Sequence, residues 1–183
     1  MNTTIRTRAN APSVFGLVYA TLASDARCAP VARCIRTHAV EVACLARELA
    51  PLVDADAGHA FAAGLLHDLG QMLLMRRDPT TYLELLAAGP SHGELLRREK
   101  EAFGTDHPLV AAEYLLELRM PDPVADAVAD HHDPFVSSSP TTIVVAAADE
   151  LLGSDEGRRH AVDLLDLPER LHDGGARPGA LDP

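Results

Sequence analysis

The sequence has few aromatic residues, no tryptophan and no long uninterrupted apolar run. Aromatic residues make up 4% of the 183 positions, although 47% of the residues are hydrophobic. Alanine and leucine supply most of that share, and both favour helices. No stretch approaches the roughly 20 apolar residues that a membrane span requires, and the N-terminus lacks the apolar run of a signal peptide. We therefore predict a soluble, cytoplasmic protein with no membrane partner.

Basic residues and cysteines are scarce as well. Lys and Arg number 16 against 27 Asp and Glu, which gives a formal net charge of −11. Because nucleic-acid binding relies on clustered Lys and Arg, this balance predicts no nucleic-acid partner. Cys28, Cys34 and Cys44 form no CxxC pair, so they are typical of free thiols in a reducing cytosol. A small phosphorylated ligand stays compatible with the acidic charge, since a divalent cation can supply positive charge.

The length suits one domain, and the hydrophobic pattern predicts an all-α fold, a single helical bundle. The polar residues 1–11 indicate a flexible stub. We predict that residues 12–172 form the helical domain and that residues 173–183 form a disordered tail. Strand-like alternation never lasts long enough to predict a sheet. The helices are predicted at about 15–24, 29–50, 57–77, 80–87, 94–103, 107–120, 122–132 and 141–152, with a weaker one at 158–165.

Several His and Asp residues interrupt these apolar helical stretches. They are His38, His67, Asp68, His131 and Asp149. A buried, ionised Asp is costly unless something compensates its charge. Each residue alone has an ordinary explanation, such as a hydrogen-bonded core histidine, a helix cap or a solvated helix edge. Together they indicate a metal site, because imidazole and carboxylate suit Zn, Fe, Mn or Ni, and a bridging carboxylate beside a His favours two metals.

The predicted helix 57–77 would carry His67 and Asp68 as adjacent residues pointing about 100° apart. Gly64 and Gly70 flank the pair and would let a neighbouring helix or a ligand approach that face closely. The remaining histidines show no partner pattern. We predict a loop at His92 and surface positions for His59, His160 and His172.

The ordered set of His and Asp residues resembles the HD superfamily of metal-dependent phosphohydrolases. The closer likeness is to its HDOD branch, the HD-related output domains of bacterial signalling proteins, and it covers roughly residues 30–152. The segments that carry it are THAVEVACLARELA around His38, GLLHDLGQMLL around His67 and Asp68, EAFGTDH ending at His107, ADHHDP with His131 and His132, and VVAAADELL with Asp149.

The resemblance implies a ligand set and a cofactor. One metal would be held by His38, His67, Asp68 and Asp149. The extra ligands of a second metal would be His107, His131 and His132, with Asp68 bridging. The implied cofactor is one or two divalent ions (Fe, Mn, Mg, Ni or Zn), and the implied catalytic residues are His67 and Asp68.

Three departures from the wider superfamily stand out. The chain lacks the GYP segment that follows the HH pair in cyclic di-GMP phosphodiesterases. Gln71 occupies the place of a phosphate-contacting Lys, and it can donate a hydrogen bond but supplies no charge. We keep Gln71 as a predicted substrate contact. HDOD domains also usually have more helical chain before the first His than the roughly 37 residues here, which predicts a trimmed N-terminal subdomain.

Three functions remain open at this point, since all would keep the same ligands. The leading hypothesis is a metal-dependent phosphohydrolase or phosphodiesterase acting on a small phosphorylated or nucleotide substrate. There the metals would lower the pKa of a water that attacks phosphorus in line. The alternative is a catalytically silent signal-transduction module that has a metal-stabilised fold and binds a signalling protein. A diiron oxygenase with a similar ligand set is the third.

Overall fold

The computed structural model describes residues 10–87, 89–134 and 139–153, and within those ranges it contains helices and no strand. This confirms the predicted all-α class. The weak helix at 158–165, the tail, His160 and His172 lie outside the described residues, as does most of the N-terminal stub. The α-helices are α1 Ala11–Ala23, α2 Ala29–Leu49, α3 Ala57–Leu66, α4 Leu69–Arg77, α5 Pro79–Ala87, α6 His92–Phe103, α7 His107–Glu117, α8 Asp122–Asp130 and α9 Pro140–Gly153, and a 3-10 helix covers Ala50–Val53.

Short polar side chains cap the starts of several helices. The Asn10 carboxamide accepts from the Ser13 N–H at 3.1 Å, which starts α1 four residues earlier than predicted. Asp106 likewise accepts from the Leu109 N–H at 3.1 Å and starts α7. Gly104 ends α6 with φ 75°, a conformation that glycine adopts without steric cost. None of the described helices is long and apolar enough to cross a membrane.

Two glycines allow helices to approach at backbone distance. A Cβ placed on Gly64 would lie 2.8 Å from the Ala43 Cα, so α3 rests directly on α2. A Cβ on Gly70 would lie 1.9 Å from the His107 carbonyl oxygen, where α4 meets the start of α7. Both predicted close approaches are therefore confirmed. Helix α9 crosses the core, since it is buried from Thr141 to Asp149.

The prediction of a continuous helix over residues 57–77 is wrong, because the helix is interrupted at His67 and Asp68. Helix α3 ends at Leu66, and Asp68 has φ −95° and ψ 9°, outside the helical range. The His67 ring donates through Nδ1 to the Gly64 carbonyl oxygen at 2.8 Å. The break brings His67 Nε2 to 3.3 Å from an oxygen of Asp68, so the two side chains face each other rather than diverging.

Candidate metal centre

Every His and Asp predicted as a metal ligand lies in one region at the centre of the bundle. Helix α2 contributes one histidine, the break between α3 and α4 contributes the His-Asp pair, and the start of α7, the end of α8 and the middle of α9 contribute the rest. The potential ligand atoms of these predicted residues form two groups, and within each group the atoms lie within 4.8 Å of one another. The first group is His38, His67 and Asp149, and the second is Asp68, His107, His131 and His132.

In the first group, Asp149 lies between two imidazoles. Its Oδ1 is 2.7 Å from Nε2 of His38 and 3.8 Å from Nε2 of His67. Asp149 is buried, with 4% of its surface exposed, whereas the His38 side chain is 31% exposed. The first group therefore reaches from the core towards the surface at His38.

Asp68 connects the two groups. One of its oxygens lies 3.3 Å from Nε2 of His67, and the other lies 3.4 Å from Nε2 of His107. Nε2 of His107 is also 3.1 Å from Nε2 of His132. A carboxylate placed between two sets of imidazoles has the position of a bridging ligand in a two-metal centre.

Two buried imidazole nitrogens have no hydrogen-bond partner among the described residues. They are Nε2 of His67 and Nε2 of His131. Each ring is fixed from its other side, since Nδ1 donates to a backbone carbonyl oxygen at 2.8 Å, of Gly64 and Val128 respectively. A metal-binding histidine is usually oriented in this way by its second nitrogen. Buried polar atoms are rarely left without a partner, so these two fit cation coordination.

Three imidazoles of the site, those of His67, His131 and His132, differ in their affinity for protons. Burial alone would lower the pKa of His67, but the charges of Asp68 and Asp149 outweigh it, and the pKa rises to about 9. Burial lowers the pKa of His132 to about 4, and neighbouring imidazoles add to that effect. Burial and the same kind of neighbours hold the pKa of His131 well below its usual value. Without an ion, positive charge therefore concentrates on His67.

Both carboxylates stay ionised despite their burial. Burial raises the pKa of Asp68, but the charges of His67 and His107 outweigh it and hold the pKa well below its usual value. Burial acts in the same direction on Asp149, and there the hydrogen bond with His38 is the largest opposing effect, so its pKa is also lowered. The centre therefore presents fixed negative charge to a cation.

Sequence reasoning missed a buried chain of hydrogen bonds behind His107. Glu99, fully buried, accepts from the Tyr82 hydroxyl at 2.6 Å and from the backbone N–H and Nδ1 of His107 at 2.8 Å each. This leaves Nε2 of His107 facing Asp68 and His132. Glu99 follows Leu95 and precedes Phe103 by one helical turn each, and this apolar stripe is the signal that could have found it.

The prediction of a loop at His92 is also wrong. His92 is the first residue of α6, and its ring centroid lies 5.0 Å from that of His132. Potential ligand atoms of His92, His132 and Asp149 lie within 4.8 Å of one another. Gln71, the predicted substrate contact, donates its amide to Asp68 at 2.7 Å. Its role as a substrate contact stays a prediction.

A helical domain that gathers His and Asp side chains into a central cluster defines the class of HD-type domains. The sequence profile of the HDOD domain matches residues 11–134, and the chain belongs to this family. The resemblance drawn from the His and Asp pattern is thereby confirmed. The profile ends after the HH pair, so it does not include Asp149.

Curated relatives include Ribonuclease Y from Rhodopirellula baltica, 34% identical over 123 residues, and from Thermus thermophilus, 34% identical over 122 residues. The match covers 67% of this chain but only 18% and 17% of those proteins, so the chain spans less than a fifth of their length.

Two solved structures share the fold. A candidate phosphohydrolase from Shewanella amazonensis SB2B aligns with a TM-score of 0.60 at 18% identity, over 86% of this chain and 72% of that chain. The MmoQ response regulator from Methylococcus capsulatus aligns with a TM-score of 0.53 at 22% identity, over 74% and 60%. At such identities the likeness shows the fold alone.

Proposed function

We propose that this domain is a metal-dependent phosphohydrolase that cleaves a phosphoester bond in a small phosphorylated or nucleotide ligand. The observation that carries the proposal is a pair of buried nitrogens, on His67 and His131, for which the described part of the chain offers no hydrogen-bond partner. Leaving two such groups unsatisfied in a core is costly, and a cation is the partner that their surroundings favour. The ionised carboxylate of Asp68 lies beside them and completes a ligand environment for a divalent ion.

The proposed assignment follows the two groups. His38, His67, Asp68 and Asp149 would hold one ion. His107, His131 and His132 would hold a second ion, with Asp68 shared between the two. Because imidazoles dominate this set, Fe, Mn, Ni or Zn fits better than Mg, which prefers oxygen ligands.

A bound divalent cation would supply a water of lowered pKa as nucleophile and would neutralise phosphate charge. The residues of the chain would prepare that chemistry. Asp68 touches both groups and would set the distance between them. His67 would give up the proton that it holds in the ion-free protein and offer Nε2 as a ligand, and these two residues are the proposed catalytic pair.

One consideration supports phosphoester cleavage, and a second supports a small substrate. Ribonuclease Y and the candidate phosphohydrolase are proteins whose names refer to cleavage of bonds to phosphorus. The net charge of −11 repels an extended polyanion, whereas it weighs less against a small ligand whose charge a metal neutralises. We therefore favour a nucleotide-sized ligand over a long nucleic acid.

The second candidate function is a catalytically silent signalling module, and one observation favours it. Both site carboxylates already have close partners without an ion, since Asp149 contacts His38 and Asp68 accepts from Gln71, each at 2.7 Å. Such a site can maintain the fold and change shape with metal occupancy while turning nothing over. A protein partner would then read the state of the domain.

Substitution of Asp68 by Ala tests the proposal. Ligand binding to the folded state raises the melting temperature, so Mn²⁺ should raise that of the wild type. Asp68→Ala should lose most of this increase. The substitution removes the shared, negatively charged ligand, so the neutral imidazoles alone would have to bind two cations. Asp126→Ala, an exposed position on α8, is the matched control and should respond like the wild type.

Activity assays separate the two candidate functions. The Mn²⁺-loaded wild type should hydrolyse bis(p-nitrophenyl) phosphate or a cyclic dinucleotide faster than a short RNA, and Asp68→Ala should be inactive. An equal Mn²⁺ response in wild type and Asp68→Ala would refute the metal assignment. A metal response that depends on Asp68, without turnover of any phosphoester, would favour the silent module.

A further inference from the structure

His92 differs from the other histidines of the candidate metal centre because it is exposed. His67, His107 and His131 are buried, and His38 and His132 are partly buried. His92 nevertheless has a potential ligand atom within 4.8 Å of such atoms on His132 and Asp149. These two residues come from different metal-ligand groups, so His92 lies over the solvent side of both. A substrate entering from solvent would meet this imidazole first.

We propose that His92 donates a hydrogen bond to a phosphate oxygen of the substrate and so acts as its phosphate-recognition residue. This inference rests on the proposed phosphohydrolase function. Metal–ligand bonds are about 2.0–2.2 Å and hydrogen bonds about 2.7–3.2 Å. An oxygen held near His132 and Asp149 therefore lies within hydrogen-bond reach of an imidazole nitrogen that is within 4.8 Å of both.

Gln71, the predicted substrate contact, directs its amide to Asp68 at 2.7 Å, so one of its two N–H donors is engaged within the site. His92 also begins α6, whose first backbone N–H groups have no partner within the helix and whose positive end favours an anion. The imidazole supplies the specific contact, and the helix start supplies a favourable potential around it.

Recognition of phosphate, rather than of a metal, follows from the exposure of His92. The buried and partly buried donors of the centre already provide two sets of ligands without it. An exposed side chain at the edge can be displaced from an ion by water, and its solvent-facing surface can contact an entering ligand. His92 is therefore assigned to the substrate.

The test measures inorganic phosphate binding to the Mn²⁺-loaded protein by isothermal titration calorimetry. His92→Ala should bind the same number of Mn²⁺ ions as the wild type, with a similar affinity. Its affinity for phosphate should fall about 10-fold or more, the loss expected for one charge-assisted hydrogen bond. His59→Ala, which removes a partly exposed histidine at the start of α3, is the control and should bind phosphate like the wild type.

Unchanged phosphate affinity in His92→Ala would overturn the inference while leaving the proposed function intact. Loss of a Mn²⁺ ion in that variant would also overturn it, since His92 would then be a metal ligand. A Mn²⁺-loaded wild type that binds no phosphate would refute the proposed function itself and this inference with it.

Discussion

Replacement of Glu99 by Gln should weaken the second metal-ligand group selectively. The Glu99 carboxylate accepts three hydrogen bonds, one from Tyr82 and two from His107, and all three residues are buried. Two of these hydrogen bonds go to His107, which belongs to the second group, and none of the three involves a residue of the first group. The carboxylate fixes the proton of His107 on Nδ1 and so leaves Nε2 available to a cation.

The structure bounds the size of the effect. Glu99→Ala would leave three buried donors unpaired, at about 1–3 kcal/mol each, a large part of the roughly 5–15 kcal/mol that stabilises a small domain. Glu99→Gln is the better probe, because it keeps the size of the side chain and one acceptor while it removes the charge. Loss of such an outer contact costs about 10–100-fold in metal affinity. We expect a loss of that order for one ion and little change for the other.

Titration with Mn²⁺ checks this prediction, since electron paramagnetic resonance distinguishes a single Mn²⁺ from a coupled pair. The wild type should give the coupled signal when saturated, and Glu99→Gln should give mainly the single-ion signal at the same concentration. Glu101→Gln, an exposed position on the same helix, is the matched control. Equal weakening of both ions, or no weakening of either, would refute a positioning role for Glu99.

Two further predictions concern glycine and pH. Gly70→Ala should prevent folding or abolish Mn²⁺ uptake, because its Cβ would lie 1.9 Å from the His107 oxygen. In contrast, a Cβ on Gly16 would have no neighbouring atom within 4 Å. Gly16→Ala should therefore raise the free energy of unfolding, measured by urea denaturation, by about 0.5–1 kcal/mol. Because the pKa of His67 is about 9, a cation must displace its proton at pH 7, so Mn²⁺ affinity should rise with pH up to about 9. Calorimetry in buffers of different ionisation enthalpy should find about one proton released at pH 7.5, and a pH-independent affinity would contradict His67 ligation.

Local features of the sequence were sufficient to predict the helical class and five of the ligand candidates, whereas His107 and His132 followed from the family resemblance. Helical periodicity is a property of neighbouring residues, so the stripe that contains His38 and the apolar run around Asp149 were visible without a fold. Caps such as Asp106 and the stop at Gly104 also act over only a few residues, so they depend on local sequence.

The tertiary structure decided how these residues meet and which others join them. His38 and Asp149 are 111 positions apart in the chain, and their 2.7 Å contact depends on the packing of α2 and α9. Glu99 lies among charged neighbours in RREKE and resembles a surface residue until α5 and α7 enclose it. His92 lies beside His132 because it is the first residue of α6, and its Ser-His-Gly context did not indicate a helix start. A sequence pattern records what each residue could do, whereas contacts between distant segments determine which of those possibilities the fold realises.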